Sequence, residues 1–280
     1  MSKIRDNVNN LITQINARTK FNFIYAMAMR ELKKYQDCFY ERILLKGKKH
    51  YLADEVEQKV LRLITDTPEI LIIQDKNLQN IGHIACNLKL KEIVSVVLDN
   101  DIASIQQDKN GFNIGMMCCA ERDFEDLVLK ALDNPIASCQ QSKEVKYNIG
   151  MYATKQGLEK AALKSLDNRE ASIQQNNFGE NIGMIACRCG MEDVVLKALD
   201  NKEACKQSDI HDSNIGMLSV VNNLERASLK ALENVDIRKR RDYCGKHMTD
   251  YVKESNLDKV KEKVENEHLD REMFVEVDFS

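Results

Sequence analysis

Asn-Ile-Gly-Met occurs at Asn113–Met116, Asn148–Met151, Asn181–Met184 and Asn214–Met217, and as Asn-Ile-Gly-His at Asn80–His83. The asparagines lie 33, 35, 33 and 33 residues apart. A fixed period of this length within one chain means that one supersecondary unit is copied. Each copy then buries its apolar face only against its neighbours. This takes precedence over the length prior, which would divide 280 residues into one or two ordinary globular domains.

The stretch Asn176–Ser208 shows the unit clearly. A turn containing Gly179 leads to Asn181, placed where a helix N-cap belongs. A short helix, IGMIACRC, follows and is interrupted by Gly190. A second helix, MEDVVLKAL, puts Val194, Val195, Ala198 and Leu199 on one face at helical spacing. Asp200-Asn201 closes it, with Asn201 expected as a left-handed C-terminal residue before an extended return. Lys91–Asn100, Glu125–Asn134, Glu159–Asn168 and Glu225–Asn234 repeat the second helix. Met116, Met151, Met184 and Met217 recur at one position and are expected in the core between repeats. The motif glycine gives up about 1 kcal/mol of helix propensity against alanine. Its recurrence predicts a neighbour too close for a side chain.

A 34-residue tetratricopeptide unit has nearly the same length. It wants two similar helices and no glycine-bearing turn before the first, so it fits worse. The pattern resembles the ankyrin-repeat family. Asp108 and Gly111 match that family's turn, Ala85, Ala153 and Ala186 its first-helix alanine, and Gly157 and Gly190 its inter-helix glycine. Asn-Ile-Gly-Met stands in place of Thr-Pro-Leu-His. The resemblance implies an all-α, ankyrin-like α-solenoid of stacked helix pairs joined by short turns. Residues 1–46 are expected as an N-terminal helical cap and 47–266 as the array. Within it, 47–74 is a degraded first unit, 75–107, 108–142, 143–175, 176–208 and 209–241 are full units, and 242–266 is a C-terminal cap; 267–280 is a tail.

Charged residues make up 30% of the chain, with a net charge of −3, which argues against a general nucleic-acid binder. No apolar run approaches the roughly 18–20 residues of a membrane span, so no membrane partner is expected. The N-terminus lacks a signal-peptide apolar core. Nine cysteines, an odd number set within helical patterns, point to a reducing cytoplasm. Delivery into a host cell stays open. Cys86, Cys119 and Cys187 share one repeat position, where a small packing residue belongs. Neither the cysteines nor the five scattered histidines show metal-ligand or nucleophile spacing. No catalytic residue, metal or cofactor is expected, and the chain reads as a non-enzyme. The basic runs Lys46–Lys49 and Arg238–Arg241 read either as solvated loops or as a targeting or phosphate-binding patch.

The resemblance places binding on the turn tips and the exposed side of the first helix, on the concave face. Phe112, Tyr147 and Phe178 stand on consecutive turns, and exposed aromatics are common interface anchors. The alternative is that they pack on one another along the turn edge. Lys109, Asn110, Glu144, Glu180 and His211 join them from the turns, and Lys155 and Arg188 from first helices. The expected function is passive recognition of an unidentified partner protein by a monomer. An Asn-, Lys- and Ile-rich composition suggests a microbial or viral protein acting on a host or competitor protein. A nucleotide- or nucleic-acid-sensing module and a self-associating array are the other readings.

Overall fold

The computed structural model describes residues 19–34, 50–267 and 269. Residues 1–18 and 35–46 of the expected cap lie outside the described residues, as do Lys46–Lys49 and all of the expected tail except Glu267 and Leu269. The chain divides into two compact units, Met1–Cys118 and Cys119–Ser280. Among the described residues both are helical, and the extended structure is one isolated bridge, Arg241 to His247.

In the first unit, a helix over residues 19–34 (α1) is followed by His50–Asp66 (α2) and a 3-10 turn, Pro68–Ile72. Then come Ile81–Leu88 (α3), Lys91–Leu98 (α4), Asp101–Ile105 (α5) and Ile114–Cys118 (α6). Ala28 and Leu32 of α1 are fully buried. A cleft of about 490 Å³ is lined by α1 residues such as Met29 and Leu32 and, opposite them, Asp75, Gln79, Ile84 and Leu88. Helix α1 therefore faces α3 across this cleft, and α2 packs on α4.

The second unit carries Glu125–Ala131 (α7), Pro135–Cys139 (α8), Ile149–Gln156 (α9), Glu159–Ser165 (α10) and Arg169–Ile173 (α11). Next are Ile182–Cys189 (α12), Glu192–Ala198 (α13), Lys202–Cys205 (α14), Ile215–Val221 (α15), Glu225–Leu232 (α16) and Val235–Arg238 (α17). Met248–Glu254 (α18) and Asp258–Asn266 (α19) close the order. First helices pack on first helices and second on second: α9 on α12 on α15 on α18, and α10 on α13 on α16 on α19.

The repeat motif explains this stacking. The side-chain oxygen of Asn181 accepts the Met184 N–H at 3.0 Å, and Asn148 and Asn214 cap α9 and α15 in the same way. Met151, Met184 and Met217 are buried in the core. A β-carbon on Gly183 would stand 2.5 Å from Ile215 Cδ1, and one on Gly82 2.5 Å from Ile114 Cδ1. The motif isoleucine of one repeat thus rests on the motif glycine of the repeat before it. That is the close approach that the sequence predicts.

Two expectations need correction. The extended return opens with a third short helix in each repeat. Asn201 is its N-cap, at φ −90° and ψ 105°, and not a left-handed C-terminal residue. Its side chain accepts the N–H groups of Glu203 and Ala204, and Asn100, Asn134, Asn168 and Asn234 do the same for their own helices. Asparagine suits this position because the chain starts another helix here instead of only leaving one. The left-handed residue lies after the first helix, at Lys89, Gly157, Gly190 and Asn223.

Candidate interaction surface

The residues from Asp75, Asp108, Ser142, Asn176, Asp209 or Asp242 to the next motif position form tight turn tips. The Asp209 carboxylate accepts the N–H groups of His211 and Ser213 at 2.9 and 3.0 Å, and Asp75, Asp108 and Asn176 act alike. Each tip then needs one left-handed residue, supplied by Leu78, Gly111, Lys146, Gly179, Asp212 and Gly245. Holding the first tip residue fixed and the fourth left-handed (the fifth in the tip from Ser142) aims the intervening side chains outward.

Neighbouring tips are joined by backbone bonds. In the second unit Asn177 N–H donates to the Val145 carbonyl, Ile210 N–H to Phe178 and Tyr243 N–H to His211. Below the tips runs a buried amide ladder. Asn181 Nδ2 donates to the Ala204 carbonyl at 3.1 Å and to Gln207 Oε1 at 2.8 Å, and Gln207 Nε2 reaches back to the Ile173 carbonyl at 2.6 Å. Asn80 with Gln106, and Asn148 with Gln174, repeat this geometry. Buried polar groups joined in this way set one register between repeats.

On the second-helix side the charges pair within the chain. Lys164 meets Asp133 at 2.5 Å, Lys197 meets Asp167 at 2.6 Å, Lys230 meets Asp200 at 2.6 Å and Lys263 meets Glu233 at 3.0 Å. Each pair spans adjacent repeats and is exposed, so each adds little stability. The basic run is engaged as well. Arg238 is buried and donates to the Leu232 carbonyl, Arg240 donates to the Lys206 carbonyl, and Arg241 donates to that of Gly245.

The residues expected to bind divide into two groups. In the first unit Lys109 and Asn110 are exposed and Phe112 is half-buried, its carbonyl accepting from His83 Nε2 at 3.0 Å. In the second unit Glu144, Lys155, Phe178, Arg188 and His211 are exposed. Tyr147 is only 6% exposed and Glu180 8%. Tyr147 packs against Tyr152 with ring centroids 5.1 Å apart, and Lys155 Nζ lies 5.4 Å from its ring centre. Burial, then the Glu180 carboxylate, pushes the Tyr147 phenol above its ordinary pKa. Tyr147 is therefore a wall of the surface and not an exposed anchor. Arg188 joins Glu180 at 2.6 Å and Asp209 at 3.0 Å, bracing consecutive tips.

Three more outward side chains complete the surface: Ile210 lies beside His211 on an expected turn, while Tyr243 and Val221 were not among the sequence candidates. Ile210 is 63% exposed, Tyr243 74% and Val221 56%, beside Phe178 at 49%. Phe178, Ile210 and Tyr243 stand on three consecutive tips, and the Tyr243 ring lies 6.2 Å from that of His211. The signal for Tyr243 is Asp-Tyr-Cys-Gly at Asp242–Gly245, which repeats the tip pattern inside the expected cap. Val221 occupies the position of Lys155 and Arg188, seven residues after the motif asparagine.

No protein-family model matches the chain, and no curated protein matches its sequence. Solved structures do match. The ankyrin-repeat domain of Bcl-3, described as a unique member of the IkappaB family, superposes with a TM-score of 0.54 at 12% identity, over 70% of this chain and 87% of that one. An ankyrin-repeat domain from Acinetobacter baumannii gives 0.54 at 11% identity, over 65% and 93%. A chain from the complex of a Bdellovibrio bacteriovorus predatory endopeptidase with its immunity protein gives 0.50 at 14% identity, over 67% and 100%. At such identities the likeness concerns fold alone. It agrees with the period, the capped first helix and the helix-on-helix stacking: this chain has the ankyrin-repeat fold.

Proposed function

We propose that the chain is a non-enzymatic protein-interaction scaffold whose second unit recognises a partner protein through its tips and first helices. The observation that carries this is the apolar row Phe178, Ile210 and Tyr243, exposed on three consecutive tips that backbone hydrogen bonds hold together. Exposed aromatic and aliphatic groups on a rigid frame lose little conformational freedom on binding, and such residues dominate interface energetics. Lys155, Arg188 and Val221 flank the row from the first helices, and Glu144 and His211 from the tips. Within the first unit, Lys109, Asn110 and Phe112 are a separate candidate on its own tip.

The scaffold acts as a monomer in this reading, on a host or competitor protein. Affinity capture from cell lysate with wild type and with Phe178→Ala/Ile210→Ala/Tyr243→Ala tests it. A partner held by wild type and lost by the triple variant is expected. Equal retention by both sinks the tip row as the recognition surface.

A further inference from the structure

The first helices meet through two fixed positions: the sixth residue after one motif asparagine faces the fifth residue after the next. Cys187 and Ser219 meet there with Sγ and Oγ 3.5 Å apart. One junction back, the positions carry Thr154 and Ala186, and before that Cys119 and Ala153. In the first unit they carry Cys86 and Cys118, whose sulfurs stand 3.6 Å apart between α3 and α6. This is the junction that brings two thiols together. Neither cysteine is in a disulfide, and both are buried, Cys86 at 5% exposure and Cys118 at 0%.

We propose that Cys86 and Cys118 form a peroxide-driven, thiol-reversible disulfide that pins two consecutive repeats of the first unit. The sulfurs need to close about 1.5 Å to reach disulfide bonding distance. Cys86 is the one with surface open to solvent, so it meets the oxidant first. Its thiolate sulfur attacks a peroxide oxygen; the O–O bond breaks, the other oxygen leaves as water after taking a proton, and Cys86 becomes a sulfenic acid. The Cys118 thiolate then attacks the Cys86 sulfur. The S–S bond forms, the S–O bond breaks, and the hydroxyl leaves as water. In sum, two thiols lose two electrons and two protons, and one peroxide is reduced to two waters. An added dithiol reverses the crosslink by exchange.

Burial limits the first step to openings of the α3–α6 junction, so the reaction is slower than at exposed thiols. It is favoured over further oxidation because a second thiol already lies in contact. Cys187 has the same seat with a serine opposite and serves as the built-in comparison.

The test uses the full chain with hydrogen peroxide as probe, followed by denaturing alkylation and non-reducing peptide mapping. The expected product is a linked peptide pair containing Cys86 and Cys118, lighter by two hydrogens and restored by dithiothreitol. The oxidised chain is expected to melt at a higher temperature than the reduced one, because a loop spanning both repeats is closed in the unfolded state. Cys118→Ser should fold, since Ser219 holds the equivalent seat beside Cys187. It should lose the linked pair and leave a Cys86 sulfenic acid that dimedone traps. Modification of Cys189 and Cys244 with no Cys86–Cys118 pair overturns the proposal. So does a Cys118→Ser chain whose Cys86 yields no dimedone adduct.

Discussion

A β-carbon on Gly183 would stand 2.7 Å from Ala198 Cβ as well as 2.5 Å from Ile215 Cδ1. The isoleucine tip can rotate, but the alanine β-carbon is fixed to its helix. Gly183→Ala should therefore lose about 1–2 kcal/mol in urea unfolding, despite alanine's better helix propensity. Gly157 is the contrast. It is left-handed at φ 74° with nothing within 4 Å, and Asn223 takes the same place at φ 57°. Gly157→Asn should change stability by less than about 1 kcal/mol. His83 occupies the methionine place of its repeat, and burial lowers its pKa from the ordinary 6.5. The unfolded chain then binds the proton more readily than the folded one. The stability that neutral His83 contributes is complete above 6.5 and is lost as pH falls through its lower folded value. Thermal melts should show a steeper acid loss for wild type than for His83→Met. Of these features, the glycine contact was legible in the sequence because repetition marked it. The burial of Tyr147 was not, because it depends on Tyr152 one helical turn into α9.

At the scale of the element, each motif asparagine does more than cap. Asn181 accepts one N–H with Oδ1 and donates two bonds with Nδ2. Asn181→Asp keeps the cap and removes the donors; Asn181→Ala removes both. Equilibrium unfolding should rank them wild type above Asp above Ala, with Ala losing about 2–4 kcal/mol. An aspartate as stable as wild type would show that the amide ladder contributes nothing. The cap and both main helices of the repeat are readable from Asn181, Gly190 and the Val194–Leu199 face. The third helix is hidden, because Asp-Asn after a helix serves equally as an ending or as a new beginning. The ladder was hidden too. Its mark, a glutamine 26 residues after the motif asparagine at Gln106, Gln174 and Gln207, has no meaning until the return segment is seen to bring that glutamine back to the asparagine.

Across the molecule, polarity is distributed by face. On the second-helix side Lys164, Lys197, Lys230 and Lys263 pair with acidic residues of the preceding repeat, and Arg238, Arg240 and Arg241 bond to carbonyls. The tips of the second unit leave apolar groups outward instead. Exposure alone does not define a surface, because Ile136, on α8 and not on a tip, is 59% exposed. That residue makes a matched control for Ile210, at 63%. The most direct measurement places a photo-crosslinking amino acid at position 210 or at position 136 of the full chain and compares the adducts formed in cell lysate. The account predicts a discrete partner adduct from position 210 that is absent from position 136. The same adduct from both positions, or from 136 alone, would contradict it.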